Sequence, residues 1–251
     1  MRCESEEYLI NKERGGCKFD LLKDERFPKS AKYRPELIVE ADMGPHVLWL
    51  TEFLCEVIDL RAGMRVLDLG CGKALSSIFL AQEFDLQVWA TDLWIGATEN
   101  YERIKAAGLE QQVFPIYANA RALPFAEQFF DVILSIDAFE YFGTDGAYLP
   151  TLVKYLKPDC QIGIVNAGLL EEIDELPKEW PSDFCTFHTP EWWRKHWALS
   201  RCVNVEIADQ LPNARDLWLR WHAAAGVTDD LYLTSEAGRN LGIHRVVGRL
   251  A

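Results

Sequence analysis

Val66-Leu67-Asp68-Leu69-Gly70-Cys71-Gly72 is the stretch of this 251-residue chain whose reading decides the fold. Met64–Leu69 is a run of strand length, apolar apart from its charged members Arg65 and Asp68, and the helical pattern of Ala74–Glu83 begins directly after the glycines. A strand that turns sharply into a helix through Gly70 and Gly72 leaves the backbone bare where a ligand can approach it closely. The same glycines also suit a tight turn with no ligand, so the pair alone leaves both readings open. Two neighbours narrow the choice. A dinucleotide fingerprint wants glycine or alanine three residues after the second glycine, where this chain has Leu75. Asp68 sets a carboxylate at the strand end, which repels a pyrophosphate and attracts an ammonium or a sulfonium.

Working outward, the chain alternates strand and helix. After Met64–Leu69, strands are predicted at Leu86–Thr91, Val113–Tyr117, Asp131–Ile136 and Ile162–Asn166, with helices at Ala74–Glu83, Ala97–Ala107 and Ala147–Leu156 between them. That alternation means right-handed crossovers and a parallel sheet, and the near-continuous apolar character of the strands fits burial on both faces. Further on, Thr189-Pro190-Glu191 reads as a cap, a first-turn proline and an acidic first turn, opening a helix through Leu199. Strands at Val203–Ala208 and Ile243–Leu250 bring the count to seven, the last two read as an antiparallel addition, with helical pieces at Asn213–Ala224 and Asp229–Arg239. The expected fold is α/β, a Rossmann-like, mostly parallel sheet of seven strands with helices on both faces. Residues 1–44 are read as an N-terminal arm or cap, loose over 1–34, and 45–251 as the Rossmann-like domain, entered by a helix carrying Val47, Leu50, Leu54 and Val57.

Asp92 ends the second strand 20 residues after Gly72. An acid there accepts both hydroxyls of a ribose in nucleotide-binding α/β folds, or else caps the following helix. In register with the glycine loop, the first role is expected. At this point the chain resembles the class I S-adenosylmethionine-dependent methyltransferases. Val66–Gly72 is similar to their first motif, Thr91-Asp92-Leu93 to their second, Asn119–Phe125 to their third and Phe130–Ser135 to their fourth-strand motif. The resemblance implies S-adenosylmethionine as cofactor, with Gly70, Cys71 and Gly72 along its methionine portion and Asp68 near it. It places Asp92 on the ribose, Leu93 and Trp94 beside the adenine, and Asn119 with the Ala120 amide at the adenine edge. Asn119 stands where many members have Asp, and either accepts from the adenine amino group.

Asp137-Ala138-Phe139-Glu140-Tyr141-Phe142-Gly143 follows the fourth strand, at the crevice where ligands of open α/β sheets sit. Asp137 is assigned to the cofactor. Ser135–Gly143 resembles the cyclopropane fatty acid synthase branch, which has histidine at the position of Tyr141 and whose glutamate helps to hold a bicarbonate base. The resemblance implies a catalytic role for Glu140 and Tyr141. Glu140 also suits a helix start, where the macrodipole favours a carboxylate. His188, just before the helix of Trp192, Trp193 and Trp197, is a further candidate base, or a cap or surface residue. The three tryptophans either line an acceptor pocket or pack the helix on the sheet. Trp218 and Trp221, on one face of the next helix, read as core.

Composition bounds the rest. Hydrophobic residues make up 49% and charged residues 26%, which suits a globular chain, and the net charge is −13 with no run of Lys or Arg. Such a surface repels phosphate backbones and anionic membranes, so no nucleic-acid partner and no stable membrane association are expected. The polar, acidic start Met1–Asn11 lacks the pattern of a signal peptide, which predicts a cytoplasmic protein. The seven cysteines (Cys3, Cys17, Cys55, Cys71, Cys160, Cys185, Cys202) show no paired spacing and read as free thiols. Cys185 and His188 stand three apart without a second pair, so no metal is expected. The function expected is methyl transfer to a small-molecule acceptor. The rivals are methyl or methylene transfer to an unsaturated acyl chain, and a regulatory module that binds S-adenosylmethionine without catalysis.

Overall fold

Strand β1 (Arg65–Leu69) is paired in parallel with β2 (Gln87–Asp92) on one side and β4 (Phe130–Ile136) on the other. The computed structural model describes residues 19–41 and 43–251. From β1 the chain steps outward through β2 to β3 (Val113–Tyr117), then returns across β1 to β4 and continues to β5 (Leu156–Leu169). With β6 (Val203–Gln210) and β7 (Leu241–Leu250) the order of the seven-stranded sheet is β3-β2-β1-β4-β5-β7-β6. The reversal of direction between β1 and β4 is a topological switch point, and the loops leaving those two strands flank a crevice at their carboxyl ends.

β7 pairs antiparallel with both β5 and β6. It is therefore the one strand of the sheet that runs against the others, and β6 shares the direction of the parallel five. The two final strands are an antiparallel pair, as expected, but only one of them reverses. β5 is also far longer than the predicted 162–166: it begins at Leu156 beside β4, and at its other end Ala167-Gly168-Leu169 continues the ladder opposite Ile243, Gly242 and Leu241. Glycine and small residues there look like a loop by sequence; the partner strand makes them sheet.

Helices α1 (Pro35–Glu40), α2 (Val47–Cys55), α3 (Leu75–Phe84), α4 (Ala97–Ala106), α5 (Glu140–Gly143), α6 (Tyr148–Leu152), α7 (Pro190–Ser200), α8 (Ala214–Ala225) and α9 (Leu231–Thr234) surround the sheet. Side chains alternate across it with the period of a strand. Val66, Val88, Val132, Leu134 and Val165 join α2, α3 and α8 in one core. Leu67, Ile133, Ile162 and Ile164 join α6 and α7 in the other. The helix expected from Pro45 begins two residues later, with His46 as N-cap accepting from the Trp49 amide at 3.1 Å. At α7, Thr189 is the cap and Pro190 the first helical residue, as read from the sequence.

Of the arm read as loose over 1–34, residues 1–18 lie outside the described residues. Residues 19–34 are packed: Leu22, Phe27 and Tyr33 are buried, and Phe27 stacks on Trp49 with ring centroids 5.8 Å apart. Glu52 holds this segment by accepting from the Ser30 amide and hydroxyl, each at 2.7 Å. Among the described residues, no helix is long and apolar enough to cross a membrane.

Trp193 and Trp197 are core residues, both set against the fully buried Phe139 at 5.8 and 5.9 Å between centroids. Trp197→Ala is expected to cost about 3–5 kcal/mol, the usual weight of a buried indole and the void it leaves. Urea unfolding followed by circular dichroism measures it; a loss below about 1 kcal/mol would mean that α7 is not anchored through this ring.

Candidate cofactor and acceptor site

A cavity of about 320 Å³ lies at the switch point and takes its walls from the loops after β1, β2, β3 and β4 and from Ala41, Met43, Gly44, Pro45 and Val47. The β1 loop is fixed by several independent bonds. Gly70 and Cys71 both donate from the backbone to the Thr91 carbonyl, at 2.8 and 3.1 Å. The Gly72 amide donates to Asp92 Oδ2 at 2.8 Å, and Asn100 Nδ2 donates to the Gly72 carbonyl at 2.9 Å. Asp92 Oδ1 in turn accepts from the amides of Trp94 and Ile95, at 2.7 and 2.9 Å. One carboxylate thus ties the loops of β1 and β2 together. It does not cap α4, whose N-cap is Gly96.

The loop glycines have a structural requirement of their own. Gly70 and Gly72 have φ of +78° and +52°, which side-chain-bearing residues rarely adopt. A Cβ on Gly70 would run into the Ala138 side chain, and one on Gly72 would come within 2.9 Å of Met43 Sδ. Both glycines face the cavity, but their missing side chains make room for protein.

Most of the predicted cofactor residues converge here. Gly70, Cys71, Gly72, Asp92, Leu93, Trp94, Asn119, Ala120 and Asp137 all line the cavity. Asn119 Oδ1 accepts from the Arg121 amide at 2.9 Å, and the Ala120 carbonyl accepts from Tyr148 Oη at 3.1 Å, so this turn is held from both sides. Asp137 has φ of +52°, and its Oδ1 accepts from the Ala167 amide at 3.2 Å. That bond draws the strained residue over the end of β5. Tyr141 also lines the cavity; its ring meets Trp94 edge-on at 5.5 Å, and its hydroxyl donates to Asp183 Oδ2 at 3.4 Å. Trp94 is 68% and Tyr141 44% exposed, which puts this aromatic pair at the mouth.

Asp68 is the exception on the cofactor side. Its carboxylate is fully buried beneath the loop and is not part of the cavity wall. Oδ2 accepts from the hydroxyls of Ser76 and Ser77, each at 2.6 Å, and Oδ1 has no hydrogen-bond partner among the described residues. Burial, reinforced by the nearby Asp92, pushes its carboxyl up to about 6 against the two serine bonds.

Two of the three catalytic candidates are not at the cavity. Glu140 is 2% exposed and packs beneath it; with the Asn166 amide oriented to donate, Nδ2 lies 2.9 Å from Glu140 Oε2. Burial, together with Asp137 and Asp183, raises the Glu140 carboxyl well above the ordinary range, which favours a neutral acid. His188 stacks flat on Trp192 at 3.7 Å, and its Nδ1 lies 3.0 Å from Glu172 Oε2. It faces the start of α7, away from the cavity. The sequence missed Asn100, whose signal was a polar residue sharing the buried face of α4 with Ile104. It also missed Met43, Gly44, Pro45 and Arg121 as wall residues; nothing in their spacing marks them.

Residues 66–159 match the family described as a methyltransferase domain. Methyltransferase GfsG of Streptomyces halstedii is 28% identical over 141 residues, which cover 56% of this chain and 51% of that protein. Phosphoethanolamine N-methyltransferase 1 of Triticum aestivum is 32% identical over 112 residues, 45% of this chain and 22% of that one. The chain thus spans about half the length of the first relative and less of the second. Among solved structures, geranyl diphosphate C-methyltransferase from Streptomyces coelicolor A3(2) superposes with a TM-score of 0.71 at 13% identity, covering 98% of this chain and 88% of that one. That likeness is one of fold.

The buried Asp68 generates a pH dependence. Unfolded, its carboxyl titrates near 3.8; folded, near 6. Between those values the native state holds a proton that the unfolded state has released, so stability falls as pH rises through this window and stays lower above it. Asp68→Asn removes this slope. The variant is expected to gain about 1–3 kcal/mol on wild type at pH 7.5 relative to pH 4.5, in urea unfolding at both values. Parallel pH profiles for the two proteins would show that Asp68 titrates normally.

Proposed function

We propose that the chain transfers the methyl group of S-adenosylmethionine to a small-molecule acceptor. The observation that carries this reading is the cavity at the switch point, where Asp92 joins the glycine loop to the β2 loop and keeps a carboxylate on the wall. The donor groups fit the cofactor. Asp92 Oδ2 has one protein donor and retains a lone pair for a ribose hydroxyl. Leu93, Trp94 and Ala120 offer an apolar slot for a purine, and Asn119 a polar edge. Asp137, beside the Gly70 turn through Ala138, places a carboxyl group at the methionine end. When bound, the cofactor supplies a methyl group already activated by a sulfonium, so the protein needs to orient the acceptor and exclude water more than to build a nucleophile. Tyr141 and Trp94 at the mouth, with Met43 and Pro45, form the wall against which an acceptor would rest.

The withdrawal of Glu140 from this wall bears on the finer reading. In the cyclopropane fatty acid synthase branch, the glutamate at the position of Glu140 helps to hold an anion. Here the carboxyl is buried among Asp137 and Asp183, a setting that repels bicarbonate. We therefore place methyl transfer ahead of methylene transfer to an acyl chain. The net charge of −13 supports a small acceptor over a nucleic acid. The two relatives named above supply the class of reaction and leave the acceptor open.

Isothermal calorimetry tests the reading. S-adenosylmethionine and S-adenosylhomocysteine should bind and nicotinamide dinucleotides should not; the reverse preference would overturn it. Asp92→Ala should then lose about 2–3 kcal/mol of cofactor binding through the missing charge-assisted bonds. It should also melt earlier, since three backbone amides lose their acceptor. Undiminished cofactor affinity in this variant would confine Asp92 to a role in loop structure.

A further inference from the structure

Trp218 and Trp221 are neighbours on α8, and both are buried. Their indole N–H groups differ. Trp221 Nε1 donates to the Gly44 carbonyl at 2.9 Å, whereas Trp218 Nε1 has no hydrogen-bond partner among the described residues. The Trp221 ring also stands edge-on to His46 at 5.0 Å, and His46 stacks on Trp49 at 4.1 Å while capping α2. Burial pushes the His46 imidazole down to about 3, so the ring stays neutral and the stack stays intact across ordinary pH.

The segment held in this way, Met43-Gly44-Pro45, is one wall of the cavity. It touches both sides of the switch point. Met43 Sδ lies 2.9 Å from where a Gly72 Cβ would be, and the Gly44 backbone lies so close to Asp137 Oδ2 that a Cβ on Gly44 would strike it. A second tie comes from Lys73 of the glycine loop, whose Nζ donates to the Glu40 carbonyl at 2.7 Å. A shift of Gly44 would therefore move Met43 off the glycine loop and relax Asp137 together.

We propose that Trp221 is a positioning residue. Through the Gly44 carbonyl it seats the Met43–Pro45 strap against the glycine loop and Asp137, and so sets how tightly the cavity closes on its ligand. The proposal rests on the cofactor reading above, and it assigns a role to a helix far along the chain from every motif.

The matched pair Trp221→Phe and Trp218→Phe tests it, because each loses one indole N–H from the same helix and only one of these N–H groups reaches the strap. Titration with S-adenosylhomocysteine should show Trp218→Phe within about twofold of wild type. Trp221→Phe should bind about 3- to 10-fold more weakly, the weight of one ordinary hydrogen bond. Gly44→Ala, with Trp221 intact, should weaken binding in the same direction. Equal affinities for the two phenylalanine variants, or undiminished binding by Gly44→Ala, would overturn the proposal. Hydrogen exchange of the amides in residues 43–49 without ligand separates this from a failure of the cofactor reading. Exchange should be faster in Trp221→Phe than in wild type or Trp218→Phe even if no cofactor binds, and equal exchange in all three would refute the role.

Discussion

The carboxylate of Asp92 accepts from Gly72 on one side and from Trp94 and Ile95 on the other, and the shape of the candidate site depends on that bridge. Parallel strands β1 and β2 bring their carboxyl ends side by side, but their loops leave into solvent with amides to satisfy. One acid satisfies three of them. Asn100 completes the closure from α4 by holding the Gly72 carbonyl. The glycine loop is thus held by bonds of the protein's own, which lowers the ordering cost of binding.

Around this bridge the site is unusually rich in carboxylates: Asp92 and Asp137 on the wall, Asp68 and Glu140 beneath it. Burial deals with the excess differently at each position. Asp68 and Glu140 are pushed toward their neutral forms, while Asp137 spends one oxygen on the Ala167 amide. The cations of the wall are engaged elsewhere: Arg121 pairs with Asp145 at 2.8 Å and Lys73 donates to the Glu40 carbonyl. The resulting field favours a ligand with positive charge near the glycines, the same conclusion that Asp68 suggested in the sequence although its own carboxylate is withdrawn from the wall.

The sheet was legible because each parallel strand is a short apolar run next to a turn signal, so Met64–Leu69, Val113–Tyr117 and Asp131–Ile136 could be placed almost to the residue. Much of the cavity wall was legible for a related reason: Gly70, Gly72 and Asp92 sit at fixed offsets from strand ends. What the sequence hid depends on contacts between distant segments. Leu22, Phe27 and Tyr33 look like members of a charged, loose arm and are core, because Trp49 and Phe79 supply their partners. Glu140 and His188 carry suggestive chemistry in suggestive places, yet one turns into the protein and the other against Trp192. No local pattern reports the direction of a side chain at the end of a four-residue helix. The direction of β6 and the length of β5 were hidden for the same reason, since each is defined by its partner strand.

The most direct measurement is an experimental structure of the protein with S-adenosylhomocysteine. The account predicts the ribose hydroxyls on Asp92, the purine between Leu93 or Trp94 and Ala120, and the homocysteine portion along Gly70–Gly72, with the Met43–Pro45 strap closed over it. A ligand bound elsewhere, or one that leaves Asp92 bonded only to Gly72, Trp94 and Ile95, would contradict it.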